Sequence, residues 1–91
     1  MKKYIIEREI PGIHTLTPEQ VKGAAATSNA ALAQLGDSRV QWLESYVTED
    51  KTFCVYMAED EVVVREHAKL SGFPANKITE VGAMIGPKSA G

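Results

Sequence analysis

Three features of the sequence predict an α+β fold with the element order β-α-β-β-α-β. Two segments with helical spacing each open on a capping residue and close on glycine. Around them lie four short runs rich in β-branched and aromatic residues. The middle two runs are joined by a polar turn too short for a crossover, so they pair as an antiparallel hairpin. The length, 91 residues, allows one domain.

The first strand covers Lys3 to Glu9, with Tyr4-Ile5-Ile6 at its centre, and Pro11-Gly12 breaks it. Thr17-Pro18-Glu19-Gln20 starts the first helix. Thr17 caps it, Pro18 suits the first helical position, and Gln20 completes a capping box. Val21, Ala24, Ala25, Ser28, Ala31, Leu32 and Leu35 then mark one face, and Gly36 stops the helix. Arg39 to Thr48 reads as the second strand, Glu49-Asp50-Lys51 as the turn, and Thr52 to Met57 as the third strand. That third strand is apolar on both faces, so both faces need cover. Asp60 caps a second helix running to about Ser71, and Gly72 ends it. Ile78 to Ile85 is the last strand. The domain is expected to span 1–85, with 86–91 as a flexible C-terminal tail.

This order is the split βαβ, or ferredoxin-like, arrangement. A four-stranded antiparallel sheet carries both helices on one face. Its other face is left bare, with apolar residues at alternating positions of the first three strands. A patch of that size marks an interface. The expected assembly is a homodimer packed sheet to sheet, a dimeric α/β barrel.

Composition excludes several classes. Ten Lys plus Arg against 12 Asp plus Glu leave a charge of -2, which argues against a nucleic-acid partner. No stretch approaches the roughly 20 apolar residues of a membrane span, so no membrane association is expected and the cytoplasm is the expected location. One cysteine, Cys54, permits no intrachain disulfide.

Few residues could carry chemistry. His67 falls at helical spacing with Val63, Val64 and Ser71, on or beside the face that meets the sheet. It reads either as a core-edge histidine with one hydrogen bond or as a metal ligand or proton carrier. Glu66 is adjacent in sequence but points about 100° away around the helix. His14 lies in the loop after Pro11-Gly12, where a solvated histidine is the plainer reading. On strand one, Glu7 and Glu9 share one face and Arg8 takes the other. Alternation also puts Trp42, Glu44 and Tyr46 on one face of strand two. Glu44 there is either a partnered interface charge or a polar group in a ligand pocket.

Three blocks of sequence carry a resemblance. The first is Tyr4-Ile5-Ile6-Glu7-Arg8, Pro11-Gly12 and Leu16-Thr17-Pro18-Glu19. The second is Trp42, Ser45-Tyr46-Val47-Thr48, Asp50-Lys51 and Cys54-Val55-Tyr56. The third is Arg65-Glu66-His67-Ala68 with Gly72-Phe73-Pro74-Ala75-Asn76-Lys77. Together they resemble a family of small bacterial nickel-binding proteins, over about residues 3 to 85. The resemblance implies a ferredoxin-like subunit that dimerises through its sheet. It also implies binding of nickel or another divalent transition metal, in sequestration or detoxification. His67 and Glu66 stand inside a family string and are the metal-ligand candidates it implies, with His14 as a third. The chain lacks the His-rich or Cys-rich tract of a high-capacity metal buffer.

Three functional readings follow, the last a purely structural or regulatory interaction domain, which the scarcity of charge on the first helix allows. The first is a non-catalytic, nickel-binding homodimer. The second is a small dimeric α/β-barrel enzyme or ligand-binding protein, with a pocket between sheet and helices. There His67 would be the acid or base, and Glu7, Arg8, Glu44 and Tyr46 would line the pocket.

Overall fold

The computed structural model describes residues 1–91. Strand β1 (Lys2–Glu9) is followed by helix α1 (Pro18–Leu35), β2 (Val40–Val47), β3 (Lys51–Ala58), α2 (Glu61–Ser71) and β4 (Lys77–Glu80). Short 3-10 turns occupy Ile13–Thr15 and Pro87–Ala90. The predicted helix signals all operate. The Gln20 N–H donates to Thr17 Oγ1 at 3.2 Å, and the Thr17 N–H donates to Gln20 Oε1 at 2.9 Å. The Val63 N–H donates to Asp60 Oδ1 at 3.0 Å. Gly72 closes α2 at φ 79°, a left-handed conformation that side chains disfavour.

The sheet order is β2-β3-β1-β4, antiparallel at every neighbour, as the ferredoxin-like arrangement requires. β1 and β3 are central. Tyr4, Ile6 and Arg8 of β1 and Thr52, Cys54, Tyr56 and Ala58 of β3 are buried, in strict alternation with half-buried neighbours. Val63, Val64 and His67 of α2 and Ser28, Ala31 and Leu35 of α1 are buried against this face. Removing an Ile, Val or Leu side chain from water contributes about 1.5–3 kcal/mol. That sum over Ile6, Val40, Val63, Val64 and their neighbours holds the layers together.

Two local expectations are corrected. Strand β2 carries a bulge between Trp42 and Glu44: Trp42 pairs with Tyr56, while Glu44 pairs with Val55. The extra residue, Leu43, reverses the alternation. Trp42 therefore faces the helices, whereas Glu44 and Tyr46 face the bare side. Second, β4 ends at Glu80 rather than Ile85. Its register sets Tyr4 opposite Glu80, and one further bond runs from Val81 N–H to the Lys3 carbonyl. Past Val81, no further pairing joins this segment to β1.

On the bare face, Ile5, Phe53, Val55 and Met57 are half-buried. The segment after β4 runs along this side. Ala83, Met84 and Ile85 share a shallow depression of about 440 Å³ with Ile5, Val55 and Tyr46. The Lys3 ammonium donates to Met84 Sδ at 2.9 Å. Met84 and Ile85 remain 71% and 89% exposed, so this segment does not cover the face. No helix is long and apolar enough to cross a membrane.

Candidate functional site

A cavity of about 620 Å³ opens between the sheet and the N-terminal half of α1. Its origin is visible in the sequence of the helix. Ala24 and Ala25 point at the sheet where larger side chains would fill the gap, and Trp42, Cys54 and Tyr56 form the opposing wall. Ile10, Ile13 and Leu16, around the first 3-10 turn, extend the apolar lining. Its volume is that of a small-molecule site.

At one end of this cavity lies a polar cluster. His67 Nε2 is 3.1 Å from Ser28 Oγ, and Ser28 Oγ is 3.5 Å from the Tyr56 hydroxyl. The Tyr56 and His67 rings meet at 5.1 Å with a 50° tilt, and Trp42 stacks on the far side of Tyr56 at 6.5 Å. His67 Nδ1 has no partner. An unpaired acceptor is tolerated better than an unpaired N–H, which assigns the proton to Nε2 as donor to Ser28. Burial pushes the His67 pKa down, the Arg8 charge pushes it further the same way, and a contact with Ser28 opposes both. The imidazole is thus held neutral. Burial raises the Tyr56 hydroxyl pKa, with Ser28 and Arg8 pulling it back.

Arg8 completes the cluster. It is 3% exposed although it ends a strand in a very small domain. Its Nη1 donates to the Pro74 carbonyl at 2.9 Å, its guanidinium lies 5.9 Å from the Phe73 ring centre, and its Nη2 has no partner. The segment after α2 is shaped for this contact. The Asn76 N–H donates to the Glu7 carbonyl, and Asn76 Oδ1 accepts from the Glu9 N–H at 2.7 Å. Gly72-Phe73-Pro74-Ala75-Asn76 therefore straps the end of β1 and seats Arg8.

The candidate metal ligands do not converge. His67 is buried with hydroxyls and a cation around it. Glu66 lies on another side of α2, bound to Arg39 at 3.3 Å, and Arg39 also holds Glu59. His14 is exposed at the cavity rim, and its Nδ1–H donates to the Glu49 carbonyl at 2.8 Å. No group of three His, Cys, Asp or Glu side chains in the chain is placed to hold a metal ion. The surroundings of His67 do not fit a nickel ion, because they offer no anionic ligand and a guanidinium stands close by.

Of the four expected pocket residues, Arg8 alone lines the cavity. Glu7 lies on the opposite face, 3.7 Å from Lys51 Nζ. Glu44 and Tyr46 lie there too, with the Tyr46 hydroxyl donating to Glu44. The bulge accounts for the last two, and strand alternation for Glu7. Sequence reasoning misses Ser28, Trp42, Tyr56, Phe73 and Pro74 as site residues. The usable signal was their grouping: most of them sit in the strings that carry the family resemblance, and those strings meet at this cavity.

Residues 4–81 match the family model described as "Nickel responsive protein SCO4226-like". The chain belongs to that family. Among solved structures it is similar to SCO4226 from Streptomyces coelicolor A3(2), with a TM-score of 0.70 at 20% identity. That alignment covers 91% of this chain and 99% of the other. The likeness shows the shared fold. No curated protein sequence matches the chain. This chain thus joins a nickel-linked family name to a ferredoxin-like fold that carries a largely apolar cavity.

Proposed function

We propose that the protein acts in nickel response as a homodimer joined through its bare sheet face, holding the metal for sequestration. His14 is the proposed nitrogen ligand. The observation that carries this is its tautomer. A carbonyl can only accept, so His14 Nδ1 must carry the proton, and Nε2 is left with a free lone pair at the surface. Metal-bound histidines are commonly oriented by such a bond from their second nitrogen. No group of three such ligands forms around His14 within one chain, so the remaining positions belong to water or to a second copy. The apolar, half-buried face supports the dimer. Calorimetric titration with Ni²⁺ tests the assignment. His14→Ala should abolish binding and His67→Ala should leave it intact. Undiminished binding in His14→Ala refutes it.

The cavity favours a second reading, a ligand-binding protein with its site between α1 and the sheet. Four groups meet there: Arg8, Ser28, Tyr56 and, behind Ser28, His67. His67 acts in this reading by orienting Ser28, not as a direct acid or base, because the ring is buried and its Nε2 is already engaged with Ser28. Solvent mapping of the cavity by small-molecule soaks tests it: ordered ligands between Ala25 and Trp42 support it, and none at all count against it.

A further inference from the structure

The cavity contains a buried cation with no anion. Arg8 gives one N–H to a carbonyl and leaves Nη2 unpaired. The five ion pairs of the chain all involve other residues. Buried charges are normally paired, since desolvation is costly otherwise. The polar neighbours here are the hydroxyls of Tyr56, Ser28 and Thr52, the last directly across from Arg8 on β3. The one carboxylate on the cavity lining, Glu9, belongs to an exposed residue and makes no ion pair. Away from this end the walls are largely apolar, interrupted by Ser45 and, at the rim, His14.

We propose that the cavity binds a small organic carboxylate, its charged end on Arg8 and the Tyr56 hydroxyl, its apolar body between α1 and Trp42. The proposal rests on the ligand-binding reading above and names the ligand class. A carboxylate matches the two-pronged guanidinium and carries the single charge that one cation can offset. A dianionic phosphate would meet only one cation. A polyhydroxylated ligand would lose hydrogen bonds to water along walls that offer few in return. Ala24 and Ala25, by their smallness, set the width available to the apolar body.

Trp42 is the only tryptophan and lines the cavity, so its fluorescence reports occupancy directly. The test is a titration of the full chain with octanoate and, separately, with 1-octanol, each repeated by calorimetry. Octanoate should bind about tenfold or more tightly than octanol, the margin of one charge-assisted contact. Arg8→Met should erase that preference while octanol still binds, and Arg8→Lys should keep part of it. Ala25→Leu, which narrows the apolar part, should weaken both ligands alike. Equal affinity for the two ligands, or a preference that survives Arg8→Met, overturns the carboxylate assignment while leaving the cavity as a ligand site. Binding of neither ligand overturns both. Full affinity in Ala25→Leu overturns the proposal as well, because octanoate would then sit elsewhere.

Discussion

Arg8→Met separates a functional charge from a structural one. Methionine is also long and unbranched, so it keeps much of the stem's packing and removes only the guanidinium. Three terms decide the outcome. The hydrogen bond from Nη1 to the Pro74 carbonyl at 2.9 Å is lost, a charged bond contributing about 1.5–3 kcal/mol. Pro74 is exposed, so its carbonyl regains a water and much of that loss is recovered. The contact with Phe73 at 5.9 Å goes too, about 0.5–1 kcal/mol. Against these stands the desolvation of a guanidinium with no carboxylate, which costs several kcal/mol. The balance predicts a change between neutral and about 2 kcal/mol of added stability. Urea unfolding at pH 7 without ligand measures it. With a slope of roughly 1 kcal/mol per molar, the midpoint should stay or rise by up to about 2 M. A midpoint that falls by more than about 0.5 M would refute the reasoning, since Arg8 would then be stabilising the empty protein.

Three further outcomes are expected. Stability should decline as pH falls below about 6.5, because His67 is held neutral in the fold but takes up a proton when unfolded. Urea midpoints from pH 8 to pH 5 check this, and His67→Gln should flatten the part due to this residue. Val55→Lys puts a charge at the centre of the bare face without touching the helix side, so light scattering should report a monomer with unchanged circular dichroism. Thr17→Ala removes one half of the capping box and should cost about 1 kcal/mol in thermal unfolding. That loss should leave Trp42 fluorescence titrations unaltered.

The fold was legible because each of its elements announces itself locally. Thr17-Pro18-Glu19-Gln20, Asp60, Gly36 and Gly72 mark helix ends through chemistry confined to a few residues. The polar turn at Glu49-Asp50-Lys51 settles the hairpin in the same way. The site was less legible because it depends on where elements meet. Ser28 and His67 are 39 residues apart, and periodicity places each on an inner face without saying that they touch. The bulge at Leu43 carries no glycine or proline to betray it, yet it moved Trp42 to one side of the sheet and Glu44 and Tyr46 to the other. Alternation did place Arg8 opposite Glu7. That a strand-end arginine in so small a domain is buried follows only from the Phe73-Pro74 strap, which is remote in sequence. Local rules broke at Arg8 and His67, polar groups on inner faces, and such breaks are expected at functional sites.

Beside the proposed nickel role of His14, the claim with the most geometry behind it is that the cavity between α1 and the sheet is a ligand site. Amide and side-chain NMR spectra, recorded as octanoate is added, test it most directly. The account predicts shifts at the Trp42 indole N–H, the Arg8 Nε–H and the Ser28 and Tyr56 amides, with Val55, Met57 and Met84 unmoved. Shifts confined to the outer face, or none at the Arg8 side chain, would contradict it.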